Sequence, residues 1–122
     1  MIDFENKTYL KLKQDSSYGQ RVEPMLGQSE VILDSYKSMR DGIVFTNKRL
    51  ISVNVQGLTG KKVDYTSIPY SKIGMYSVET SGALDLDSEL TITVSGVRTP
   101  ILFEFRGRTK IIEIARYISE AL

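Results

Sequence analysis

Apolar and polar residues alternate along most of this chain, and the alternation starts at Glu30. Val31, Leu33 and Ser35 share one face of an extended segment there, while Ile32, Asp34 and Tyr36 share the other. Asp41-Gly42 reads as a hairpin turn, because both residues tolerate positive φ. Three strands follow that turn: residues 43–46, ending in a polar Asn47-Lys48 turn, then 49–56, then 61–67 beyond the glycine-bounded loop Gly57-Leu58-Thr59-Gly60. Residues 73–80 form the next strand. The cleanest alternation is Leu90, Ile92 and Val94 against Thr91, Thr93 and Ser95. Ser95-Gly96 turns the chain, and Ile101, Phe103 and Phe105 supply a matching inward face.

The period then changes. Ile111, Ile114, Ala115, Ile118 and Leu122 recur on one helical stripe, Gly107 breaks the preceding strand, and Thr109 stands where an N-cap is expected. Residues 1–29 follow neither rule. Residues 3–14 mix apolar and basic side chains without a clean period, and Asp15-Ser16-Ser17-Tyr18-Gly19 has the composition of a linker. Residues 20–26 read as a short helix ending at Gly27, with Pro24 in its first turn. The pattern divides the chain into an N-terminal extension, 1–19, whose order it leaves open, and a domain, 20–122. The expected class is mainly β (α+β by count): a seven-stranded antiparallel sheet capped by a C-terminal helix. Such a sheet bends into a sandwich or partly open barrel rather than leave flat exposed edges, and the helix buries its stripe across an open end.

Composition adds limits rather than detail. A chain of 122 residues with 41% hydrophobic and 25% charged residues fits one globular domain. Sixteen basic against fifteen acidic residues leave a net charge of +1, so no global field draws the chain to nucleic acid or membrane. Cysteine is absent, which excludes disulfides and thiolate metal sites. No apolar run approaches the roughly 18 residues of a membrane span, and the N-terminus is unlike a signal peptide. A soluble cytoplasmic protein is the expectation.

Several strings, taken together and in order, carry a resemblance. They are Ser35-Tyr36-Lys37 with Met39-Arg40-Asp41, Phe45-Thr46-Asn47-Lys48-Arg49-Leu50-Ile51, and Gln56-Gly57-Leu58-Thr59-Gly60-Lys61-Lys62. Thr66-Ser67-Ile68-Pro69-Tyr70, Tyr76-Ser77-Val78-Glu79-Thr80 and Asp85-Leu86-Asp87-Ser88-Glu89-Leu90 continue the match. Over residues 20–122 the chain resembles the bacterial pleckstrin-homology (PH) domain proteins, small single-domain proteins of uncharacterised role. The resemblance implies a seven-stranded sheet pair capped by a C-terminal helix, and a ring-like homo-oligomer. Fold transfers through such a likeness better than function does.

Pleckstrin domains that bind inositol phosphates carry basic residues on their first two strands and the loop between them. Here Lys37 and Arg40 approach the Asp41-Gly42 turn, while residues 43–46 offer no base, so the ladder of donors that must converge on one phosphate is incomplete. Isolated surface charges contribute little. Gly57-Leu58-Thr59-Gly60-Lys61 is too short for a phosphate loop, lacks the hydroxyl residue after its lysine, and is flanked by strands where a helix is needed. Asp85-Leu86-Asp87-Ser88-Glu89 fails as a calcium loop, because Leu90 and Gly96 occupy the positions that need glycine and glutamate. Without His or Cys the commonest bases and nucleophiles are missing, and no carboxylate pair stands out. Tyr65, Tyr70 and Tyr76 read as strand packing or as an oligomer interface.

The leading expectation is therefore a non-enzymatic interaction module, without cofactor or metal, that self-assembles and binds a protein partner and not nucleic acid. The alternative is a binder of anionic lipid headgroups or another anionic ligand through Lys37, Arg40, Lys48, Arg49, Lys61 and Lys62. That alternative requires salt-sensitive attraction to anionic surfaces.

Overall fold

The computed structural model describes residues 8–39, 41–80, 87–107 and 110–121, with side-chain surroundings from residue 11 onward. One sheet runs through it in the order β5-β4-β3-β2-β1-β8-β7-β6. The strands are β1 (Thr8–Gln14), β2 (Ile32–Ser38), β3 (Asp41–Thr46), β4 (Arg49–Gln56), β5 (Lys62–Pro69), β6 (Ile73–Thr80), β7 (Ser88–Val94) and β8 (Ile101–Phe105). A helix α1 (Ser16–Val22) follows β1, and α2 (Ile111–Glu120) ends the chain. The sheet curls into a half-barrel, as the alternation requires, with eight strands in place of the expected seven.

The added strand is β1, and it is interior. Its first half pairs in parallel with β8 (Tyr9 opposite Phe103, Leu12 opposite Phe105), and its end pairs antiparallel with β2 (Lys13 opposite Lys37). Among the described residues β1–β8 is the parallel pair in an otherwise antiparallel sheet. The register shifts between Tyr9 and Leu12, and Lys11 takes a positive φ of 58° there. A bulge of this kind flips side-chain parity in mid-strand and bends the strand. That is why no period marked residues 8–14.

Four further expectations are corrected. Asp15-Ser16-Ser17-Tyr18-Gly19 is not a linker: Asp15 caps α1 by accepting from the Ser17 N–H at 2.8 Å, so the helix begins well before residue 20. Pro24 stands instead in a 3₁₀ turn, Glu23–Met25, that ends this helix. Asp41 and Gly42 already belong to β3; the chain turns between Ser38 and Asp41, which pair with one another, and Met39 takes the positive φ. The alternation through β2 breaks at Leu33, where Ile32 pairs with Thr46 and Asp34 with Phe45. The bulge puts Ile32 beside Gly19 of α1, away from Asp34 and Tyr36. The expected N-cap Thr109 and the last residue of the expected stripe, Leu122, lie outside the described residues, and Lys110 precedes α2 without a side-chain cap bond.

Two apolar clusters result. Inside the curl, Leu12, Tyr36, Ile43, Phe45, Leu50, Ile92, Phe103 and Phe105 pack with Ile111, Ile114 and Ile118 of α2. The Tyr36 ring stands edge-on to Phe105, centroids 4.8 Å apart. Each such side chain withdrawn from water contributes about 1.5–3 kcal/mol. On the convex side, Tyr18 and Val22 of α1 cover Val44, Ile51 and Val53. Buried on both faces, β3 and the first half of β4 lose their alternation and read as near-continuous apolar runs.

Candidate functional site

The end strands β5 and β6 are joined by a 3₁₀ turn, Tyr70–Lys72, yet among the described residues they are the two edges of the sheet and pair only with β4 and β7, respectively. The half-barrel is therefore pinched at that corner, where Tyr70 is buried and donates its hydroxyl to the Thr46 carbonyl at 2.7 Å. Burial pushes the Tyr70 hydroxyl well above its ordinary pKa, so it remains a donor. Helix α2 packs against β6, β7 and β3 on the inner side of the curl. Each edge strand is eight residues long. Tyr65 on β5 is 38% exposed and Met75 on β6 is 66% exposed, while Tyr76 packs partly on the core.

Next to the corner lies an ion pair that the sequence did not announce. Glu30, whose side chain is 3% exposed, accepts from Arg49 Nε at 2.9 Å through one oxygen and from Arg49 Nη2 at 2.9 Å through the other. Thr46 Oγ1 and the Gly27 N–H complete the carboxylate's bonds at 2.7 and 3.0 Å. The Arg49 guanidinium holds the Glu30 carboxyl down to about 2, against the upward push of burial. Arg49 also donates to the Ser67 hydroxyl and the Met25 carbonyl. Of the basic residues singled out from the sequence, Arg49 is thus a fastener tying β4 to β5 and to the segment before β2.

The others do not gather around it. Lys48 is exposed in the same turn and donates to the Gln28 carbonyl at 3.3 Å. Lys61 and Lys62 are exposed at the opposite end of β4, which spans roughly 23 Å. Lys37 is exposed on the convex face, its Nζ 5.9 Å from the centre of the Tyr18 ring. Arg40 lies outside the described residues. The acidic segment shows only its second half: Asp87 meets Arg106 at 3.5 Å and accepts from the Gly107 N–H at 3.3 Å, which ties the start of β7 to the end of β8.

A cleft of about 570 Å³ opens where β1 has ended and α1 leaves the sheet, lined by Gln14, Asp15, Gln20, Glu23, Asp34 and Ser35 among others. Asp34 accepts from Gln14 Nε2 at 2.9 Å, from the Ser35 N–H at 3.0 Å and from the Tyr36 hydroxyl at 2.6 Å. Burial first, and the bond to Asp34 second, raise the Tyr36 hydroxyl far above its ordinary pKa, which keeps it a donor to Asp34. The cleft offers hydrogen-bond acceptors without a cation, so it does not suit an anionic ligand. Among the described residues no group of donors comes together to hold a metal ion, and no helix is long and apolar enough to cross a membrane.

Known proteins of this shape match closely. The sequence matches the family described as Bacterial PH domain over residues 5–122. A crystal structure of a duf1696 family protein with a pleckstrin-homology domain, from Shewanella loihica, superposes with a TM-score of 0.77 at 37% identity, covering 93% of this chain and 99% of that one. A pleckstrin homology domain from Shewanella amazonensis gives a TM-score of 0.62 at 42% identity, covering 88% and 87%. Among curated proteins, the uncharacterised YjqA of Bacillus subtilis is 45% identical over 96 residues, which is 78% of this chain and 77% of that protein. With that curled sheet, its closing helix and this match over nearly its whole length, the chain belongs to the bacterial PH domain family.

Proposed function

We propose that this bacterial PH-like domain is a non-enzymatic, cytoplasmic interaction module that assembles with copies of itself into a closed ring and presents the assembled surface to a protein partner. The observation that carries this reading is the pair of sheet edges: among the described residues, β5 and β6 end the sheet, each is eight residues long, and no further strand is paired to either. Isolated proteins blunt such edges with short strands, bulges, lysines or prolines; here a register shift near the start of β6 and Lys62 and Pro69 at the ends of β5 leave strands still long enough to recruit another. Two unlike edges on one molecule favour head-to-tail contacts, which close into rings. Exposed Met75 and half-exposed Tyr65 add apolar and aromatic surface of the kind enriched at interfaces.

Reading the six basic residues as one anionic-ligand site has less support, because Arg49 is spent on Glu30 and Lys48 stands a strand's length from Lys61 and Lys62. Light scattering during size-exclusion chromatography tests assembly. The expected mass is a stable multiple of 13.8 kDa, lowered to the monomer by Met75→Glu. A monomeric mass at tens of micromolar overturns the reading.

A further inference from the structure

Three cations do converge, and two of them were not among the residues picked from the sequence. On the convex face Lys13 of β1 is the direct cross-strand partner of Lys37 of β2. Like charges directly opposite one another disfavour the pairing. The third is Arg21 in the last turn of α1, with its guanidinium carbon 5.0 Å from the centre of the Tyr18 ring, the same ring that Lys37 approaches. All three side chains are exposed, and none makes a salt bridge among the described residues. The Asp15 carboxyl feels Lys37 only weakly, and one of its oxygens accepts from both the Ser17 hydroxyl and the Ser17 N–H.

The ring that organises these cations is fixed. Tyr18 is buried and sits against Gly42, where a β-carbon would come within 2.5 Å of Tyr18 Cδ2 and 2.6 Å of the Tyr36 carbonyl oxygen. An arginine stacked on an aromatic face keeps its N–H edge directed outward and loses less entropy on binding than a free one. Three cationic donors on three separate elements match the terminal oxygens and double charge of a phosphate monoester better than a single carboxylate.

We infer that Lys13, Arg21 and Lys37 form a binding site for a phosphate monoester, built around the ring of Tyr18. The site is independent of strand-edge assembly, and none of its three cations lines the acidic cleft. Its chemistry suits either a soluble phosphate compound or the headgroup of phosphatidic acid.

Titration with inorganic phosphate at constant ionic strength, followed by backbone amide chemical shifts, tests it. Saturable shifts are expected at Lys13, Tyr18, Arg21 and Lys37, with a dissociation constant on the order of 1 mM. The double variant Arg21→Met/Lys37→Met is expected to bind about tenfold more weakly or worse while its thermal midpoint stays within a few degrees. Should that variant fail to fold, Lys13→Gln removes one exposed cation and must weaken binding several-fold. Shifts that fail to saturate, match those of equal chloride, or persist unchanged in a folded variant overturn the site. Sedimentation with phosphatidylcholine vesicles, with and without phosphatidic acid, separates the sources. Capture that needs the acidic lipid and is lost in the variant assigns a headgroup; phosphate binding without capture assigns a soluble ligand.

Discussion

Gly42 leaves no room for a β-carbon, because the Tyr18 ring and the Tyr36 carbonyl fill that space. Gly42→Ala should therefore destabilise the domain by about 1–3 kcal/mol, read as a lower urea midpoint with unchanged slope. From sequence alone this glycine looked like half of a turn, and the reason it is glycine lies in Tyr18 of α1, 24 residues earlier. Glu30 and Arg49 make the same point in charge. Glu30→Ala should cost about 3–5 kcal/mol by leaving the arginine without its partner, and Glu30→Leu with Arg49→Met should recover most of that loss. Glu30 also sets a pH dependence. Its folded pKa lies below its unfolded value, so its contribution is complete above the ordinary 4.5 and is lost as pH falls toward about 2. Urea denaturation between pH 6 and 2 should show this loss in the native protein and not in the doubly substituted one. The adjacent Lys48-Arg49 invited a shared role; burial assigned one to solvent and the other to a carboxylate that precedes it by nearly 20 residues.

At the scale of elements, legibility followed periodicity. The strands with one buried face, β7 and β8, alternate cleanly, and α2 shows its stripe of Ile111, Ile114 and Ile118. Ile114→Ala should cost about 2–5 kcal/mol, since this side chain is fully buried against the inner face of the sheet. β1 was illegible because a bulge divides it and two different partners share it. α1 was displaced because Asp15, Ser16 and Ser17, residues common in loops, serve here as a cap and first turn. The position of β1 in the middle of the order has a sharp consequence. A chain starting after residue 14 loses the strand joining β2 to β8 and should show no cooperative urea transition. Retention of a native-like transition would contradict the interior placement of β1.

For the whole molecule, the curl was expected from the need to avoid flat exposed edges, and a helix closing an open end from the stripe of α2, whereas the path of the two edges was not. A short turn connects β5 to β6, and local sequence gives them the look of an ordinary hairpin pair. They do not pair with one another; each pairs instead with the strand on its other side, and α2 packs against β6, β7 and β3. The convergence of Lys13, Arg21 and Lys37 was equally invisible, since it depends on a strand, a helix and a second strand meeting on the convex face. Assembly through the edges makes a demand that no single subunit meets. The amides of β5 and β6 that point away from β4 and β7 must find partners in neighbouring copies. Hydrogen–deuterium exchange at those amides, measured at high and low protein concentration, is the most direct test. Exchange as slow as in β3 at high concentration, speeding up on dilution, is the expected result. Exchange as fast as in the Gly57–Gly60 loop at every concentration would contradict assembly through the edges.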